Sequence, residues 1–276
     1  MSDEQGLILR VALTPLALGA FAALLCSLPR LPDAVRQISA ALAICGAVLM
    51  VFWFERGLPT FPPTRTLNWL WPVAGAAVLT VILSSLIPRG RWWFLAATLL
   101  FVLWTHSTRG GKFHEHAGVW VAMILCAAGW AMSLLTICKT MPGRMGRLAL
   151  SGILGALAVT LLLTKSLLLA QLAGAMACAL LGLAVCTRPL CAGLYAPMVC
   201  TAVFLCLHGY LFSRMQFAEM LLLAFGGLLV LAYPLAKRFF PGWMKPLVAA
   251  GLSVAVPAAT AFWVLMRVRP WEDSYF

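Results

Sequence analysis

The side chains best equipped for chemistry in this sequence are its four histidines and two carboxylates that end apolar runs. His106, His114, Glu115 and His116 fall close together, His208 stands far downstream, and Glu55 and Glu219 each border a long uncharged stretch. Neutral imidazole combined with carboxylate ligates divalent metals, and a His/Glu set relays protons near neutral pH. The spacing His114-Glu115-His116 is i, i+2, which faces one way only in an extended chain and diverges on a helix. It lacks the i, i+4 arrangement of the His-Glu-x-x-His zinc motif. A metal held by His106, His114 and His116 is therefore one expectation, and polar decoration of a wet loop is the competing one that the spacing favours. No cofactor is implied.

Lys165 is the other residue of interest. It separates two uncharged runs, and if these formed one continuous helix it would lie at membrane depth, where an ionisable group is a functional candidate by default. Other constellations are missing. No Gly-x-Ser-x-Gly elbow occurs, Gly110-Gly111-Lys112 lacks the frame of a phosphate loop, and none of the nine cysteines forms a Cys-x-x-Cys pair. The cysteines read as small apolar packing residues, with no disulfides expected.

What must position these groups follows from composition. Apolar residues make up 63% of the 276 and charged residues 10%, against roughly half and a quarter in a soluble domain. A soluble exterior of that size needs a charged coat, and here it is missing. The Lys, Arg, Asp and Glu that exist leave ten charge-free stretches: 11–29, 37–54, 66–88, 92–108, 117–138, 148–164, 166–187, 189–213, 220–236 and 246–266. Each has about the 17–25 residues that one helix needs to cross the hydrocarbon. Runs such as Leu167-Leu168-Leu169-Ala170 do not alternate as barrel strands would. The fold class is all-α, a polytopic transmembrane bundle of about ten helices joined by short loops.

The chain must fold back near Lys165, because 148–187 as one helix would be roughly 60 Å long, about twice the hydrocarbon thickness. No Gly or Pro marks that turn. Elsewhere Pro and Gly punctuate the connections, as in Pro88-Arg89-Gly90-Arg91 and Pro142-Gly143. The longest connection, 55–65, is proline-rich and stiff, reading as a rigid spacer or as a lid over the bundle mouth. Pro197 and Pro257 interrupt apolar runs and predict kinks. The start, Met1-Ser2-Asp3-Glu4, has no basic n-region, so the first apolar run reads as a retained helix.

With ten helices the loops alternate between two sides. The amino-terminal side receives nine cations and seven acids, the other eleven cations and one acid, Asp33. All four histidines, Glu55 and Glu219 fall on the amino-terminal side, so they can converge at one mouth. The basic side suits an anionic cytoplasmic leaflet, which places both termini away from the cytoplasm in a cell (cytoplasmic or inner) membrane. The expected partners are the lipid bilayer, further membrane subunits and an unidentified small-molecule substrate. Nucleic acid is not expected, for no aromatic-interleaved basic module is present.

Three functional classes fit. A small secondary transporter is favoured by the helix count and the near absence of extramembrane mass. A single membrane domain, 1–276, with five-helix halves at 1–147 and 148–276 would have inverted topology, the arrangement that supports alternating access. A non-catalytic subunit or scaffold suits the scarcity of buried charge, and a membrane-embedded enzyme would need the His/Glu mouth to converge.

Overall fold

In a computed structural model the described residues are 9–58, 63, 65–107, 117–141, 143–186, 191–233 and 238–272. They form ten α-helices and no strand. We number them α1 (Thr14–Ser27), α2 (Asp33–Arg56), α3 (Leu70–Leu86), α4 (Arg91–Ser107), α5 (Ala117–Thr140), α6 (Arg144–Leu163), α7 (Leu167–Leu183), α8 (Cys191–Phe212), α9 (Phe217–Phe225) and α10 (Lys245–Glu272). Six are long and apolar enough to cross a bilayer by length and composition: α2, α3 with its leading turn, α5, α6, α8 and α10. The protein is a multi-pass helical membrane protein.

The shorter helices depart from the uniform lengths expected of the charge-free runs. α1 is entered through a π-helical turn, Leu9–Leu13, and α9 tightens into a 3-10 helix, Gly226–Ala232. The 3-10 form rises about 2.0 Å per residue instead of 1.5 Å, so fewer residues cover the same depth. It begins where Gly226 packs against Pro257 of α10 and Gly227 against Ser133 of α5, both too close to admit a Cβ freely.

Nine helices form a ring in the order α1, α2, α3, α4, α5, α9, α10, α6, α7, which closes on α1. α8 lies inside it, packed on α2, α3, α4 and α5. Of its most apolar stretch 78% is buried within the protein, against 33–56% for the other five long helices. A helix that is apolar on every side belongs in such a centre. α1 packs closely on α7, where Gly19 and Gly182 face the partner backbone and a side chain on either would run into it. Small residues let membrane helices approach to backbone contact and gain dispersion. The loosest joint is α4 beside α5, which barely touch.

The turn at Lys165 is a Schellman motif. Ser166 N–H donates to the Leu161 carbonyl and Lys165 N–H to that of Leu162, both at 3.0 Å. Lys165 itself takes φ +65°, the left-handed geometry usually given to glycine. The residue is exposed at the end of the bundle, so it is a turn residue and not an ionisable group inside a helix. Two of the cations assigned to the basic side are buried instead. Arg36, paired with Asp33 at 2.6 Å, donates to the Leu28 and Pro29 carbonyls at 2.9 and 3.3 Å, and Arg147 donates to the Cys186 carbonyl. Both neutralise carbonyls at helix C-terminal ends, where a cation is favoured. No disulfide joins the eight cysteines whose side chains are described, and six of them are buried.

Candidate functional site

Helix α8 carries a ladder of rings at i, i+4 spacing: Phe204, His208 and Phe212. Phe204 stacks on His208 with ring centres 6.1 Å apart, and His208 meets Phe212 at a tilt, 4.6 Å between centres. Residues four apart stand above one another on a helix, which is why the ladder forms. His106, at the end of α4, meets this ladder edge-on, 4.7 Å from Phe204 and 6.1 Å from His208. Its Nδ1 lies 3.0 Å from the Val102 carbonyl, and its ring is buried. His208 Nδ1 has no hydrogen-bond partner among the described residues.

A cavity of about 260 Å³ opens beside this ladder at the amino-terminal mouth. His208, Phe212 and Phe52 form its inner wall, and Arg56, Arg65 and Asn68 its rim. The arginines come from the two ends of the proline-rich connection. Arg56 closes α2, where Gly57 at φ +74° turns the chain, and Arg65 precedes the short 3-10 turn into α3. Helix packing thus brings two cations, an amide and an imidazole around one small space. Among the described residues no carboxylate belongs to its wall, so Arg56 and Arg65 present positive charge to whatever enters.

Deeper along α8 on the same stripe, seven residues from His208 and about 10 Å away by helical rise, stands Thr201. Its side chain is fully buried and its Oγ1 meets no hydrogen-bond partner among the described residues. Other threonines of the bundle behave differently. Thr80, Thr98, Thr160 and Thr260 each donate to the carbonyl four residues back at 2.9 Å. An orphaned hydroxyl in the most enclosed helix calls for an explanation, because buried polar groups are almost always paired.

The remaining sequence candidates distribute as follows. Glu55 is exposed on the last turn of α2 and is not part of the cavity wall. Glu219 is buried, but its carboxylate is taken up by its own helix start and by α10. Gln216 N–H donates to Oε2 at 2.8 Å, and Arg267 Nη2 lies 3.0 Å from Oε1. His114, Glu115 and His116 lie outside the described residues. Among the described residues no three His, Cys, Asp or Glu side chains stand close enough to hold a metal ion. The imidazoles that do meet, His106 and His208, are framed by phenylalanine rings.

No family model matches this chain, and neither a curated protein nor a solved structure matches it. Function therefore rests on the site itself.

Arg56, Arg65, Asn68 and Thr201 were not legible as a group. The arginines read as charges flanking apolar runs, and a threonine within such a run carries no signal of its own. The one available hint was that two arginines bracket a connection stiff enough to hold its ends near each other.

Proposed function

We propose that the protein is a small permease for an anionic solute, which enters at the amino-terminal mouth and moves along α8. The observation that carries this reading is the cavity edged by Arg56 and Arg65 that ends on α8, the helix inside the ring. The unpaired Thr201 hydroxyl on the same stripe as His208 and Phe212 supports it, since a polar group left open inside a membrane bundle serves a passing ligand better than it serves packing. Guanidinium groups supply forked donors that match carboxylate and phosphate oxygens. His208 and Asn68 add neutral donors and acceptors that can replace part of the solute's hydration.

A bundle of ten helices in two inverted halves of five, 1–147 and 148–276, would suit alternating access, and the strongly basic end would face the cytoplasm. The other two classes have weaker support. An enzyme of the His/Glu type requires a carboxylate beside the imidazoles, and Glu219 is engaged by Arg267. A scaffold does not need an open cationic cavity.

Uptake of labelled phosphate, sulfate and short carboxylates into proteoliposomes, with and without imposed proton and sodium gradients, tests the proposal. Each arginine–oxyanion contact contributes about 1.5–3 kcal/mol. The double variant Arg56→Ala/Arg65→Ala should therefore weaken apparent affinity at least about tenfold. Absence of uptake for every anion under every gradient, or unchanged affinity in the double variant, would sink the reading.

A further inference from the structure

A second cavity, about 360 Å³, lies at the opposite end of the bundle, in the loose seam between α4 and α5. Its volume falls in the range of about 300–1,000 Å³ typical of small-molecule sites. Its inner wall is apolar, built from Val81, Leu95, Leu135 and Ala196, with the Tyr195 ring of α8 at the back. Its polar end carries Arg91 from the start of α4 and Lys139 from the end of α5, with Ser84 beside them.

That polar end is constructed. The Arg91 guanidinium sits 5.0 Å from the centre of the Trp92 ring, and Trp92 meets Tyr195 edge-on at 6.0 Å. The Tyr195 hydroxyl donates to the Ala131 carbonyl at 2.7 Å, which holds the ring against α5. Neither Arg91 nor Lys139 makes an ion pair among the described residues. The one acid that the topology assigns to this end, Asp33, is spent on Arg36. The outer faces flanking the seam bear exposed apolar residues, among them Trp93 and Leu100 on α4 and Ile124 and Met132 on α5.

From this combination we infer a binding site for an anionic glycerophospholipid, with the headgroup phosphate on Arg91 and Lys139 and an acyl chain laid along Leu95, Leu135 and Val81. Charge complementarity selects the head, and an apolar wall reached from a lipid-facing seam selects the tail. A free oxyanion would use the cations and leave the wall unfilled. The site is separate from the mouth cavity and does not depend on transport. Bound lipid would wedge the joint where the ring is weakest, coupling the membrane's anionic content to the packing of α4 on α5.

Native mass spectrometry of the full-length protein in mixed micelles tests this with phosphatidylglycerol, phosphatidylcholine and inorganic phosphate as probes. Phosphatidylglycerol should be retained over phosphatidylcholine, and millimolar inorganic phosphate should not displace it. Arg91→Ala/Lys139→Ala should lower that preference at least about tenfold, whereas the charge-preserving pair Arg91→Lys/Lys139→Arg should keep it. Leu135→Trp fills the apolar wall and leaves both cations in place, so it should also abolish retention, and it stands in if the double alanine variant does not fold. Equal retention of the two lipids, displacement by inorganic phosphate, or wild-type retention in Leu135→Trp would overturn the inference.

Discussion

Replacing Thr201 by valine tests stability and function separately. The Thr201 side chain is 0% exposed and its Oγ1 is unpaired among the described residues. Its counterparts at 80, 98, 160 and 260 close onto the preceding turn, and this hydroxyl does not. A buried hydroxyl without a partner costs about 1–3 kcal/mol. Valine has nearly the same shape and no polar atom, so Thr201→Val should raise stability by about 1–2 kcal/mol. Thr160→Val is the control. It removes a made hydrogen bond, and should be neutral or lower stability by about 1 kcal/mol. Equilibrium unfolding of both variants in mixed micelles gives the comparison, and anion uptake on the same preparations gives the functional arm. A Thr201→Val protein less stable than wild type, or no more stable than Thr160→Val, refutes the reasoning about the hydroxyl. A stabilised variant with wild-type uptake removes Thr201 from the proposed path.

Two further substitutions test the fold. Lys165 holds a left-handed backbone geometry that costs an L-residue roughly 1–2 kcal/mol and glycine almost nothing; Lys165→Gly should raise the unfolding free energy by up to about 1 kcal/mol after its added chain entropy, and Lys165→Val should lower it. At the α1–α7 joint, Gly19→Val or Gly182→Val drives a side chain into the facing backbone, so each should lower stability by at least about 1–3 kcal/mol and reduce the yield of monodisperse protein in size-exclusion chromatography. Gly155→Ala on α6, where an added Cβ meets nothing within 4 Å, should leave both measurements unchanged or slightly improved.

The fold class was readable because it follows from local quantities. Bilayer thickness fixes the length a charge-free run must have, and a helix too long to fit must turn, so the hairpin at Lys165 could be inferred without a glycine to mark it. The means of turning could not, since a lysine accepting φ +65° is visible only in the backbone. Alternation of loops likewise put His106 and His208 at one end, and there they meet. Glu219 shares that end yet pairs with Arg267 of α10, because ring order and not loop order decides which helices are neighbours.

What the sequence by itself determined is a set of apolar helices and their approximate ends, properties of one segment against water or lipid. Only the tertiary structure decided which helix is enclosed. Ten runs rich in leucine and alanine differ little in hydropathy, and without a polar face to orient them the choice falls to shape: Gly19 against Gly182, Gly226 against Pro257, and α8 inside the ring. From that choice follow the cavity between Arg56 and Arg65, the isolation of Thr201 and the lipid-facing seam above Arg91 and Lys139. None of these exists in any segment alone, because each is a space or an unmade bond between helices.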